Sequence, residues 1–241
     1  MGITKLMIII NVLIFILVFS MPESVLLWIF SAFAFTLNFE IWRIFTSLFL
    51  HANASHLFFN MLGLYFFGKI LEEEINNKKW LMIYFLSGII GNLLYGLTSS
   101  NLAVGASACV FGLMGAVMLL KPEKIINFYI FPLPLGLIAL LFSIFTTMLA
   151  VSNPVYAGIA HVAHVGGLAT GGLITIYLNP KRSIESILIL IFFIVLLAFL
   201  GPIISLITGV GSLILGVIEK IVGFILYGIS HLLRLMWIVI F

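Results

Sequence analysis

The chain has no aspartate, a single cysteine and few charges of either sign: 8% of its 241 residues are Asp, Glu, Lys or Arg, while 63% are hydrophobic. Each scarcity closes off a chemistry. Without aspartate there is no pair of aspartyl carboxyls sharing a proton and no Ser-His-Asp triad, so any serine chemistry must run on a Ser-His pair whose base is oriented by packing or another hydrogen bond. No HExxH zinc helix occurs. The lone Cys109 excludes an intrachain disulfide and a CxxC or thiolate metal site, and neither metal nor cofactor is expected. The eight glutamates, Glu23, Glu40, Glu72, Glu73, Glu74, Glu123, Glu185 and Glu219, lie near predicted helix ends or in connections. Neither a soluble core nor a nucleic-acid surface fits such a chain.

What the sequence does contain suits lipid. Several apolar runs approach the ~20 residues that a helix needs to cross a bilayer, and backbone groups in hydrocarbon must pair inside their own helix. The fold class is therefore all-α, a polytopic helical membrane protein. Helices are expected near residues 5–20, 55–71, 79–98, 105–120, 125–149 and 157–178, with a long connection through about residue 50 that holds two short apolar stretches. These six helices make residues 1–182 one membrane domain, and residues 183–241 form an extension with additional apolar helices. In the extension, 183–207 can cross outward with a break at Gly201-Pro202. Residues 209–241 mix Gly, Glu219, Lys220, His231 and Arg234 into apolar sequence and read either as an eighth crossing with a ninth partial segment or as an interfacial amphipathic stretch. The first segment, Leu6 to Phe19, follows Lys5 with no small-residue cleavage site after it and is read as retained, not as a removed signal peptide.

An amino terminus in the cytoplasm puts Lys5, Lys69, Lys78, Lys79, Lys121, Lys124, Lys181 and Arg182 inside and leaves Arg43 as the only basic residue outside before residue 183. The positive-inside rule selects this orientation. The second, fourth and sixth helices then run from outside to inside, so His56, Asn60, Ser107 and His164 share the outer half of the membrane. Ser107 is expected about two residues into its helix and His164 about seven into its own, roughly 10 Å at the helical rise.

Polar side chains in hydrocarbon are costly unless paired or used. Serine is a weak nucleophile and needs a base, which a neutral imidazole supplies. His164 is the candidate, with His161 one turn earlier as its competitor. Gly167 and Gly171 follow His164 at i+3 and i+7, leaving a bare stripe that matches Gly105, Ala108, Gly112 and Ala116 on the serine helix. Close packing of those two helices would join Ser107 to His164, and Phe111, four residues past the serine, can pack on the imidazole. His56 and Asn60 are i and i+4 on one helix and, with the Ser107 amide, can form an oxyanion site. The plainer reading makes the stripes packing motifs and the polar residues an interhelical hydrogen-bonding patch or the start of an ion path. His51 reads as a structural polar anchor, and His231 has no evident partner.

The combination resembles the rhomboid family of intramembrane serine proteases over roughly residues 40–180. It rests on Glu40-Ile41-Trp42-Arg43, His51, His56-Leu57-Phe58-Phe59-Asn60, Gly105-Ala106-Ser107-Ala108, and Ala163-His164-Val165-Gly166-Gly167 with Gly171. The resemblance implies Ser107 as nucleophile, His164 as general base, and His56, Asn60 and the Ser107 amide as oxyanion donors. Trp42 and Arg43 become structural residues of a loop lying partly in the membrane. Two positions depart from the family: Ala108 stands where many members carry glycine, and Phe111 where some carry tyrosine. Neither departure removes the chemistry. The resemblance further implies a small residue before the cut, lateral substrate entry near the fifth helix, transmembrane proteins as substrates and the lipid bilayer as partner. Val151 to Gly158, with Ser152, Asn153 and Pro154 opposing continuous helix, is the expected lid. The active site is expected toward the extracellular side of the cell membrane. Other readings are a non-catalytic rhomboid-like binder of client helices and a small transporter with a histidine proton relay.

Overall fold

A computed structural model of the chain describes residues 1–38, 40–128, 131–139 and 161–199, together with Lys220. The helices are α1 (Ile3–Phe19), α2 (Glu23–Phe33), a short α3 (Arg43–Thr46) that continues into a 3-10 turn at Ser47–Phe49, α4 (Ala54–Glu74), α5 (Asn77–Thr98), α6 (Ser107–Leu120), α7 (His161–Leu178) and α8 (Pro180–Phe199). The chain is a polytopic helical membrane protein, and α5, α7 and α8 are each long and apolar enough to cross a bilayer. Helices α4 and α5 start at asparagine caps: the Asn53 side chain accepts from the His56 amide at 2.8 Å and Asn76 from the Lys79 amide at 3.0 Å.

The structure departs from the hydropathy reading in two stretches. The connection before residue 50 holds α2 and α3, and α2 buries none of its residues. Residues 125–134, expected to open the fifth helix, instead form an antiparallel hairpin of β1 (Ile125–Phe128) and β2 (Phe131–Pro134), with Ile125 opposite Pro134 and Phe128 opposite Phe131. Pro132 and Pro134 carry no amide hydrogen and oppose a helix interior, while Ile125 and Ile126 favour extended backbone. Helical structure begins only at residues 135–139. The rest of the expected fifth helix, the expected lid, residues 157–160 of the sixth helix and the tail beyond α8, Lys220 apart, lie outside the described residues.

The chain divides into a unit of residues 1–191 and a second of 192–241. In the first, α5, α6 and α7 approach at backbone distance along glycine stripes. A methyl at Gly167 would run into the Ala108 carbonyl oxygen, one at Gly171 into that of Gly112, and one at Gly115 into that of Leu168. A methyl at Gly91 of α5 would lie 2.7 Å from the Ala163 carbonyl oxygen. At these points α7 lies against the backbone of α6 and α5, whereas α5 and α6 meet through the small side chains of Ser87, Ala108 and Cys109, a mode of packing available when lipid supplies no hydrophobic drive.

Charge gathers at one end of this bundle. Lys121 pairs with Glu74 at 3.4 Å, Lys124 with Glu73 at 3.0 Å, and Arg182 with Glu123 and Glu185 at 2.5 and 3.4 Å. Arg182 Nε also donates to the Leu120 carbonyl at 2.9 Å, satisfying an orphan acceptor at the end of α6. The starts of α4 and α6 lie together at the other end, where the polar residues of the site collect.

Candidate active site

Ser107 is the first residue of α6, rather than about the third, and no side chain caps that end. The first-turn amides are therefore free of helical partners, and the positive end of the helix dipole faces the serine. The chain enters through Gly105 at φ 115°, a backbone region that side-chain-bearing residues rarely adopt. Gly105 also lies close against α4: a Cβ there would lie 2.7 Å from both Cε1 and Nε2 of His56 and 3.7 Å from Nδ2 of Asn60. Both side chains thus face the backbone two residues ahead of the serine.

His164 stands three residues past the described start of α7. Its Nε2 is 2.9 Å from Ser107 Oγ. The Phe111 ring stacks on the imidazole, centroids 4.4 Å apart and planes within 5°. That stack, with α6 and α7 in backbone contact, holds the imidazole without a carboxylate. His161 lies one turn away with its ring 6.3 Å from that of His164. The nearer imidazole to the serine is thus His164. Beneath the pair, Phe35, Tyr95, Ala108 and Ala163 form a buried apolar cluster, flanked by Ile44 and Ala103.

Trp42 and Arg43 sit apart from the serine, at the end of α2. Trp42 Nε1 donates to the Ala32 carbonyl at 3.2 Å, Arg43 Nη1 to that of Ala34 at 3.0 Å, and Thr46 Oγ1 to that of Phe33 at 2.9 Å. Arg43 also pairs with Glu40 at 2.7 Å. These donors answer the carbonyls that a helix end leaves unpaired.

Several supporting residues had escaped the sequence reading. Phe35 and Ala103 exchange two backbone hydrogen bonds of 2.8 Å, and the Gly105 amide donates to the Ser47 carbonyl at 2.9 Å. Asn92 of α5 donates to the Ile44 carbonyl and to Ser47 Oγ, both at 3.0 Å. The first three of these bonds anchor the serine loop to the segment after α2, and Asn92 fastens that segment to α5. Only the glycine two places before the serine, a residue suited to positive φ at a helix entry, hinted at this. His231 lies outside the described residues. Among the described residues, no group of three or more His, Cys, Asp or Glu side chains could hold a metal ion.

Fold and site together define a helical membrane protein in which a serine hydroxyl and an imidazole from separate helices meet beside a group of N–H donors. The rhomboid domain matches residues 38–181, more than half of the chain, and the protein belongs to the rhomboid family. Among its relatives, the putative rhomboid protease YdcA of Bacillus subtilis (strain 168) is 32% identical over 175 residues, 69% of this chain and 84% of that protein. The rhomboid protease GlpG of Klebsiella pneumoniae is 32% identical over 149 residues, 62% of this chain and 52% of that one. The inactive RHOMBOID-like protein 8 of Arabidopsis thaliana is 35% identical over 135 residues, 56% of this chain and 37% of that protein. The match spans about a third of the length of the plant relatives.

Proposed function

We propose that the protein is an intramembrane serine endopeptidase that cuts transmembrane segments of other membrane proteins through an acyl-enzyme on Ser107. The observation that carries this reading is the 2.9 Å approach of His164 Nε2 to Ser107 Oγ across the contact of α6 with α7. In the first step the hydroxyl proton passes to Nε2 as Oγ attacks the scissile carbonyl carbon. The resulting oxyanion is held by His56, Asn60 and the Ser107 amide, a class of interaction whose loss costs about 10²–10³ in kcat per donor. Collapse breaks the C–N bond, and the leaving amine takes the proton from His164. Water then gives a proton to His164 and attacks the acyl carbon, and return of that proton to Oγ frees the serine. A helix hides its scissile carbonyls in internal hydrogen bonds, so segments that unwind readily are preferred substrates.

In this reading residues 1–182 are the catalytic membrane domain and 183–241 an extension. The amino terminus faces the cytoplasm and the active site the extracellular side of the cell membrane, with the paired Lys121, Lys124 and Arg182 end inside. Phe111 holds the base, and Trp42 and Arg43 hold the loop. Substrate enters laterally, with Val151 to Gly158 as lid. The reaction needs no metal, cofactor or nucleic acid.

A relative bearing the name inactive supports one alternative, a non-catalytic binder of client transmembrane helices. Purified protein in detergent with a model transmembrane substrate separates the two. Wild type is expected to cleave, Ser107→Ala and His164→Ala to lose cleavage, and His161→Ala to retain much of it. Undiminished cleavage by Ser107→Ala sinks the mechanism, dependence on His161 reassigns the base, and no cleavage with retained client binding favours the alternative.

A further inference from the structure

Asn60 has two amide hydrogens and donates one to the His56 carbonyl at 2.9 Å, leaving the other for the Gly105 side. Neutral His56 has only one ring hydrogen. It can serve an oxyanion only when that hydrogen is on Nε2, the nitrogen turned toward Gly105. The other nitrogen, Nδ1, accepts from the Ala52 backbone amide at 3.4 Å. A donor at Nδ1 excludes a hydrogen there and so selects the Nε2–H form. The ring is also held from the side. His51, 2% exposed, packs edge-to-face against it with centroids 5.2 Å apart and planes at 65°. The buried His51 ring thus stands as an aromatic wall beside His56.

We infer that His51 and the Ala52 amide act as a positioning pair that keeps neutral His56 in its Nε2–H form with that hydrogen directed to the pocket beside Ser107. The inference rests on the proposed serine mechanism for its purpose, but its geometry can be tested without activity. In protein carrying ¹⁵N-labelled histidine, with His56 assigned by the signals lost in His56→Ala, wild type is expected to show a protonated Nε2 and a bare Nδ1. His51→Ala is expected to show a mixture of the two tautomers. A protonated Nδ1 on His56 in wild type overturns the inference.

Kinetics provide the second arm. His51→Ala is expected to lower kcat about 10- to 100-fold with KM little changed, the scale of a catalytic group slightly misplaced, and His51→Phe, which restores an aromatic wall, is expected to recover most of the loss. A folded His51→Phe as slow as His51→Ala overturns the inference, because the nitrogens would then be what matters, and so does an unchanged kcat in His51→Ala. Should His51→Ala fail to fold, the wild-type spectrum and His51→Phe still decide. Ser107→Ala measured in parallel tells failure of this inference from failure of the protease reading: cleavage that survives it condemns the latter, while the spectrum judges His56 independently.

Discussion

Gly167→Ala tests the contact on which the Ser107–His164 pair depends. Gly167 lies one turn past His164, and a methyl added there meets the Ala108 carbonyl oxygen, with Ala108 Cα at 3.1 Å. Backbone cannot swing aside as a side chain can, so α6 and α7 must part by about 1 Å to restore ordinary packing. The hydrogen bond between Ser107 and His164, 2.9 Å long, crosses the same interface and would be stretched out of useful range. Misplacement on that scale costs about 100-fold in kcat. Overpacking costs about 1–3 kcal/mol, offset by about 1 kcal/mol for replacing a helical glycine with alanine, so the net loss of stability is at most about 2 kcal/mol. Gly172→Ala on the same helix is the control, since its methyl would meet only Leu119 Cδ1 at 3.5 Å. Cleavage of a transmembrane substrate gives kcat, and thermal unfolding in detergent gives stability. Gly167→Ala with wild-type kcat and Tm, or Gly172→Ala as damaged as Gly167→Ala, would refute the reasoning.

Other substitutions probe the remaining supports. Gly105→Ala combines a positive φ, which costs an L-residue about 1–2 kcal/mol, with displacement of the His56 ring; kcat should fall further than stability alone explains, and full activity would separate His56 from the oxyanion. Arg43→Leu leaves the Ala34 carbonyl without its donor and Glu40 without its cation at a cost of about 1–3 kcal/mol, read as a lowered Tm, whereas an unchanged Tm would deny the loop its anchor. Phe111→Ala removes a stack worth about 0.5–1.5 kcal/mol, an expected 2- to 13-fold loss of kcat. Phe111→Tyr should recover much of that loss, and a Phe111→Ala enzyme at full speed would show that the base is held by something else.

Much of this molecule is legible in its sequence, for identifiable reasons. Helix length and hydropathy are local properties, so α1, α4, α5, α6 and α7 fall near their expected places. The spacing of Gly167 and Gly171 against Gly112 carried the packing of α6 on α7, because a bare stripe at helical period admits another backbone. Local properties mislead at residues 125–134, where an apolar run reads alike as buried strand or helix; Pro132 and Pro134, which lack amide hydrogens, decide for the strand. Local properties mark α2 only as a short apolar stretch, because its 11 residues fall well short of the ~20 that a crossing needs.

Composition and order alone determined that the chain is membrane-embedded, helical, free of aspartate and equipped with a serine and histidines on separate apolar segments, because these follow from residue type and period. The tertiary structure alone decided that Ser107 and His164 are 2.9 Å apart across 57 positions of sequence. It likewise decided that His56 turns toward Gly105 and that Trp42, Arg43 and Thr46 serve the carbonyls ending α2. Distances between side chains remote in sequence depend on how closely helices pack and in what register. Both are set by the whole set of interlocking surfaces and by no single segment.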